Sequence, residues 1–190
     1  GRDCIGAIQL YPEAVQPSAI RTVTAEPLSV KEIENLLGSY QDAPLGMARD
    51  RDFRISLAGA QEQTALLWHQ QQWQRPTGST PTSHIFKLPI GFLEHSNIDL
   101  RESGENEWLC LQILKAFGVP VASAEMAQFG AQNVLIVERF DRRWSNDRSW
   151  LMRLPQEDFC QALGIAPAIK YESDGGPGIA AGMKLLLGSQ

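Results

Sequence analysis

The residues whose types and spacing suit phosphate chemistry fall first in two places. One is a small-residue turn, Ala58-Gly59-Ala60-Gln61-Glu62-Gln63, between apolar runs; the other is Lys87, inside the next apolar run Phe86-Lys87-Leu88. Phosphate oxygens are best held by backbone N–H groups that approach closely, which requires small side chains, and a lysine on a neighbouring strand supplies the compensating charge. The turn matches neither a Walker loop nor a Gly-x-Gly-x-x-Gly loop, and an ordinary hairpin needs the same small residues. Strand alternation sets Lys87 on the face opposite Phe86 and Leu88, so whatever that face lines receives a positive charge. The competing reading is a lysine whose ammonium only reaches solvent from a strand edge. A cleft lysine needs a carboxylate to orient it. Glu107 is the first candidate and Glu105 the second; two positions apart, they cannot face the same way on a helix. Both also suit the first turn of any helix, where the dipole favours acids.

Two further segments carry chemistry-bearing residues. Glu138-Arg139-Phe140 closes an apolar run and opens into Asp141-Arg142-Arg143, a density of charge that by itself reads as a surface ion-pair cluster. Ser56 stands just before the small-residue turn. Phosphorylated, it would add about two negative charges there and repel a bound phosphate, whereas unmodified it is a plain strand serine. His69, His84 and His95 show no metal-ligand spacing and no nucleophile partner, and the five tryptophans are scattered as packing residues are.

The elements that must position these residues follow from pattern. Ser29-Val30-Lys31-Glu32 has capping-box spacing and predicts a helix over 29–37 stopped by Gly38. Residues 53–57 and 64–69 predict two antiparallel strands on either side of the turn, and His84 to Ile90 a third strand carrying Lys87. Ser103 to Phe117 reads as an amphipathic helix capped by Ser103, with Trp108, Leu111, Leu114 and Phe117 on its apolar face. Cys110 falls among these apolar residues and is expected as a buried thiol. Strands are expected at 121–129 and 133–139, joined near Gly130, with the second opening into a linker at Glu138 to Phe140. Pro155 is placed as the first residue of a helix ending at Leu163-Gly164, Lys170 to Gly178 as a glycine-rich loop, and Ile179 to Leu187 as a final helix.

Composition bounds the function. A chain of 190 residues, 43% hydrophobic and 21% charged, is that of a globular domain, and its net charge of −5 argues against holding nucleic acid by non-specific phosphate neutralisation. Three scattered cysteines form no metal or redox pair and fit a reducing cytosol, and no apolar run is long enough to span a bilayer. The expectation is a cytoplasmic protein. The chain opens on a strand in progress, Cys4 to Leu10, and closes on an apolar helix, so it is expected to be a piece of something longer.

Several longer strings have the wording of one family. They are 54–62, Pro81-Thr82-Ser83-His84-Ile85-Phe86-Lys87-Leu88-Pro89, Glu105-Asn106-Glu107, Val137-Glu138-Arg139-Phe140-Asp141-Arg142-Arg143-Trp144, Arg153-Leu154-Pro155-Gln156-Glu157-Asp158 and Lys170 to Gly178. The chain resembles the HipA family of serine/threonine kinase toxins over most of its length. The resemblance implies an α+β fold: a protein-kinase-like N-lobe with a mostly antiparallel sheet over 1–140, then the exit of the hinge and the start of a helical C-lobe over 141–190. It implies ATP and magnesium as cofactors, with nucleotide phosphates on Ala58 to Gln63 and Lys87 and adenine on Glu138, Arg139 and Phe140. Ser56 matches an autophosphorylation site that switches the enzyme off. A HipB-like DNA-binding antitoxin and a protein substrate of the aminoacyl-tRNA synthetase class are the implied partners. Family members read Gln-Glu-Lys-Thr where this chain has Gln61-Glu62-Gln63-Thr64, which removes a charge. The family's catalytic and magnesium-binding aspartates belong to a loop downstream of Gly178 that this sequence does not contain, so the chain alone is expected to be inactive. The alternative is a non-catalytic, pseudokinase-like module that binds nucleotide or a partner, and a third is an ATP-grasp-like fold with another acceptor.

Overall fold

The computed structural model describes residues 2–15, 17, 19–41, 63–94 and 97–188. Ser56, the turn residues Ala58 to Glu62 and the strand expected at 53–57 lie outside the described residues. The chain divides into two compact units, Gly1–Leu154 and Pro155–Gln190, which are taken in turn.

The first unit begins with β1 (Arg2–Asp3) and β2 (Gln9–Leu10), paired antiparallel. The expected strand from Cys4 is instead a turn, because the Gly6 amide donates to Asp141 Oδ2 at 2.8 Å and draws the chain inward. β3 (Ala25–Pro27) leads into α1 (Val30–Gln41). The capping box forms: the Ser29 amide donates to Glu32 Oε2 at 2.8 Å and the Glu32 amide to Ser29 Oγ at 3.3 Å. α1 runs past Gly38, whose cost of about 1 kcal/mol in a helix is offset by packing of Leu37, buried, and Tyr40, partly buried, against the sheet.

Then come β4 (Gln63–His69), β5 (Gln72–Pro76), β6 (His84–Lys87), the hairpin β7 (Gly91–Leu93) and β8 (Ile98–Leu100), and α2 (Ser103–Ala116). β9 (Ala124–Phe129), β10 (Gln132–Glu138) and the hairpin β11 (Arg142–Trp144) and β12 (Leu151–Arg153) complete the unit. The main sheet has the order β3-β5-β4-β6-β10-β9, and every pairing is antiparallel. On one face Ile33 and Leu37 of α1 pack on Leu66, Phe86, Val134, Ile136 and Phe129. On the other, α2 meets β9 and β10. Gly130 makes the β9–β10 turn at φ +59°, with Glu34 capping it by accepting from the Ala131 amide at 3.0 Å; a Cβ at Gly130 would overlap that carboxylate. Glycine is the residue that both the left-handed backbone and the close approach allow.

Three more expectations change in this unit. Ser103 does not cap α2: its hydroxyl accepts from the Ile90 amide at 3.0 Å, and Glu102 takes the cap position. The expected apolar face of α2 is not its inner one. Gly104, Glu107 and Leu111, spaced three and four apart, turn inward, whereas Phe117 is 81% exposed and Cys110 is exposed rather than buried. The strip after Glu138 is neither a surface ion-pair cluster nor a linker, since Arg139, Asp141 and Arg142 are buried and the chain continues into the β11–β12 hairpin.

The second unit holds α3 (Phe159–Leu163), single turns at Pro167–Ile169 and Glu172–Asp174, and α4 (Ile179–Gly188). Pro155 does not start α3. Asp158 does, accepting from the Gln161 amide at 2.7 Å while Gln161 Oε1 accepts from the Asp158 amide at 2.9 Å, a capping box that outweighs the proline signal. Gly164, at φ +66°, ends the helix.

Candidate functional site

Lys87 is the last residue of β6, in register with Gln63 of β4 on one side and Leu135 of β10 on the other. Gln63, the last residue of the expected phosphate turn, therefore stands in the sheet beside Lys87. Lys87 lies on the face opposite Phe86, the face on which α2 packs, and its Nζ is 2.5 Å from Glu107 Oε1. The two side chains are 23% and 35% exposed. Helical phase decides between the candidate carboxylates: Glu107 shares the inner face with Gly104 and Leu111, while Glu105 faces solvent. Gly104 is buried between Met126 and Leu135, which fixes the first turn of α2 on the sheet and carries Glu107 over Lys87.

At the far end of β10 the chain alternates. Glu138 and Phe140 are exposed, Phe140 at 73%, and Arg139 and Asp141 are buried. The Glu138 amide donates to Ser123 O and the Arg139 amide to Ser83 O, both at 2.9 Å. The Arg139 side chain is equally committed, with Nε and Nη2 donating to Asp141 at 3.0 and 2.8 Å and Nη1 to Asp3 Oδ2 at 3.0 Å. Of the three residues expected to meet a base, Arg139 is committed throughout, its carbonyl accepting from the Arg142 amide at 3.3 Å, and Phe140 offers an exposed ring and an amide that donates to no backbone carbonyl among the described residues.

Beneath the crossover, the segment Glu138–Asp141 that leaves β10, lies a buried polar network that the sequence reading did not find. Asp3 and Asp141 face Arg139, Arg142 and Arg153. Burial alone would push the Asp141 carboxyl up, but hydrogen bonds from Arg139 and the Gly6 amide, with the charges of Arg139 and Arg142, hold it below the usual carboxylate range. Burial lowers Arg142 from its ordinary value, the facing arginines adding to it and the two carboxylates opposing it. The available signal was the arginine-rich spacing of residues 139–153. Its partner, Asp3, lies 136 residues from Arg139 and is invisible to local pattern.

A lysine on a central antiparallel strand, paired with a glutamate from the following helix and next to a strand end that crosses over, is the N-lobe arrangement of kinase-like folds. The sequence profile of the HipA-like C-terminal domain family matches residues 55–190, and the chain belongs to that family. It is 35% identical over 180 residues to "Putative kinase Y4mE" of Sinorhizobium fredii, spanning 93% of this chain and 41% of that protein. It is 28% identical over 178 residues to the serine/threonine-protein kinase toxin HipA of Shewanella oneidensis, spanning 94% and 38%. The chain thus covers about two fifths of the length of these relatives. Its structure matches that of a chain in the Shewanella oneidensis complex of HipA, HipB and operator DNA, with TM-score 0.64, 27% identity, and coverage of 93% of this chain and 38% of that one. The fold is the α+β, mostly antiparallel kinase-like fold of HipA.

Proposed function

We propose that this chain is the nucleotide-holding part of a HipA-like protein serine/threonine kinase, the toxin of a type II toxin–antitoxin pair, which transfers the ATP γ-phosphate to a protein hydroxyl. The observation that carries the reading is the Lys87–Glu107 ion pair, set in register with Gln63 at the end of the small-residue turn. In this reading the amides of Ala58, Gly59, Ala60, Gln61, Glu62 and Gln63 and the Lys87 ammonium share the phosphate oxygens. Glu107 keeps the ammonium aimed, and the crossover holds the base, with the Glu138 carbonyl and Phe140 amide as polar contacts and the Phe140 ring as the apolar one. Positioning and charge neutralisation are most of what a protein contributes to phosphoryl transfer.

Among the described residues no group of three His, Cys, Asp or Glu is arranged to hold a metal ion, so no step is assigned to magnesium, whose ligands the family resemblance sets downstream of Gly178. Asp158 caps α3, and Asp174 stands in a turn where its amide donates to Tyr171 O at 3.0 Å; both have structural work that explains them. The companion in the matched complex, HipB with its operator DNA, supports a HipB-like DNA-binding antitoxin as partner. The family resemblance supports an aminoacyl-tRNA synthetase as the class of protein acceptor, in a cytoplasmic setting; among the described residues no helix is long and apolar enough to cross a membrane.

The test is incubation with labelled ATP, magnesium and a candidate acceptor, of the 190-residue chain and of a longer chain carrying it through a complete helical lobe. Transfer by the longer chain and none by the shorter is expected. Transfer by neither, with ATP still bound, would favour the second reading, a non-catalytic nucleotide-binding module.

A further inference from the structure

The carboxylate of Asp3 accepts hydrogen bonds from five donors. Oδ2 takes the Thr82 amide at 2.9 Å, Thr82 Oγ1 at 2.5 Å and Arg139 Nη1 at 3.0 Å; Oδ1 takes Arg142 Nη2 at 3.0 Å and Arg153 Nη2 at 3.1 Å. These donors belong to four stretches, the strap before β6 (Thr82), the crossover (Arg139), β11 (Arg142) and β12 (Arg153), and Arg153 also reaches the strap by donating to Ser79 O at 2.8 Å. The strap is tied to the crossover a second time, since Ser83 O accepts from the Arg139 amide. Asp3 is itself buried, as are Thr82, Arg139, Asp141 and Arg142. Three guanidinium groups face two carboxylates in this network, so neutralising Asp3 would leave the buried Arg139 and Arg142 and the partly buried Arg153 opposite Asp141 alone.

We propose that Asp3 is a positioning residue for the crossover Glu138–Asp141, acting through Arg139 to decide which side chains and amides that segment shows to a nucleotide base. The inference rests on the reading of this segment as the base-holding one. The alternation is the mechanism. With Arg139 and Asp141 pulled inward by the network, the intervening Phe140 must point out, and its ring is 73% exposed. Phe140 and Asp141 are the central residues of a turn closed by the Arg142 amide on Arg139 O at 3.3 Å, so losing the inward pull on Arg139 frees that turn to rotate and withdraws the Phe140 ring and amide together. The phosphate-facing group Lys87 is held separately by Glu107 and touches no member of the network among the described contacts.

That separation makes the proposal testable with two probes on the full-length protein that contains this chain: ATP and inorganic tripolyphosphate, each titrated calorimetrically. Asp3→Asn keeps the shape and removes the charge. It is expected to weaken ATP roughly 10-fold, which corresponds to about 1.4 kcal/mol of binding free energy, and to leave tripolyphosphate affinity unchanged. Thr82→Val removes one donor and no charge; it should shift ATP affinity in the same direction by a smaller factor, and it carries the comparison if Asp3→Asn does not fold. Equal loss of both ligands, or no loss of ATP, overturns the positioning role while leaving the site in place. A wild-type protein that binds neither ligand overturns the reading of the site itself and this inference with it.

Discussion

Replacing Glu107 by Gln removes one charge from the Lys87 pair and leaves nearly the same volume on the inner face of α2. The pair is close, 2.5 Å, but its side chains are 23% and 35% exposed, so its worth lies near the top of the range for solvent-exposed pairs rather than with buried ones. That is about 1 kcal/mol, or roughly a fivefold change in an equilibrium constant. Two consequences follow. Unfolding stability should fall by about 1 kcal/mol, and ATP affinity by roughly fivefold, because an unpaired Lys87 ammonium no longer has one preferred direction. Glu105→Gln, on the solvent face, should change neither by more than about 0.5 kcal/mol. Calorimetric ATP titration and urea unfolding of Glu107→Gln, Lys87→Met and the double variant form a cycle whose interaction energy isolates the pair. The coupling should shrink as salt rises, since partly exposed charges are screened. Glu105→Gln matching Glu107→Gln, or a coupling energy of zero at low salt, would refute the reasoning.

Asp141→Asn breaks a buried ion-pair network and should destabilise the first unit by about 3–5 kcal/mol, read as a lower urea midpoint. The native carboxyl is held below its ordinary value, so its contribution is fully present above the unfolded pKa of about 3.9 and is lost as the pH falls through the lower folded value; the acid limb of the stability profile should flatten in Asp141→Asn. Ser56→Asp in the full-length protein should weaken ATP by charge repulsion, while Ser56→Ala should leave it nearly intact; equal ATP affinity in Ser56→Asp and wild type would remove the regulatory role.

Much of the architecture was legible because local physics specified it. The capping box at Ser29 and Glu32, the apolar runs of 64–69 and 133–139, and Gly130 and Gly164 at left-handed turns each act over a few residues, so a linear reading reaches them. The readings that failed did so where a distant partner intervened. Ser103 looked like a cap but its hydroxyl is taken by Ile90. Leu114 and Phe117 looked like an inner face, yet the face of α2 that meets the sheet is set by Gly104 against Met126 and Leu135. Pro155 suggested a helix start that Asp158 and Gln161 hold three residues later.

The sequence by itself determined which residues were available for chemistry and, through strand alternation, that Lys87 stands opposite Phe86. Only the tertiary structure decided between Glu105 and Glu107, because the choice depends on how α2 is rotated about its own axis when it packs on β9 and β10. It also turned a charged strip that reads as surface into a buried network. A charge is buried when its counter-charge is buried beside it, and Arg139 has two, Asp141 close in sequence and Asp3 brought from the other end of the first unit by the fold alone.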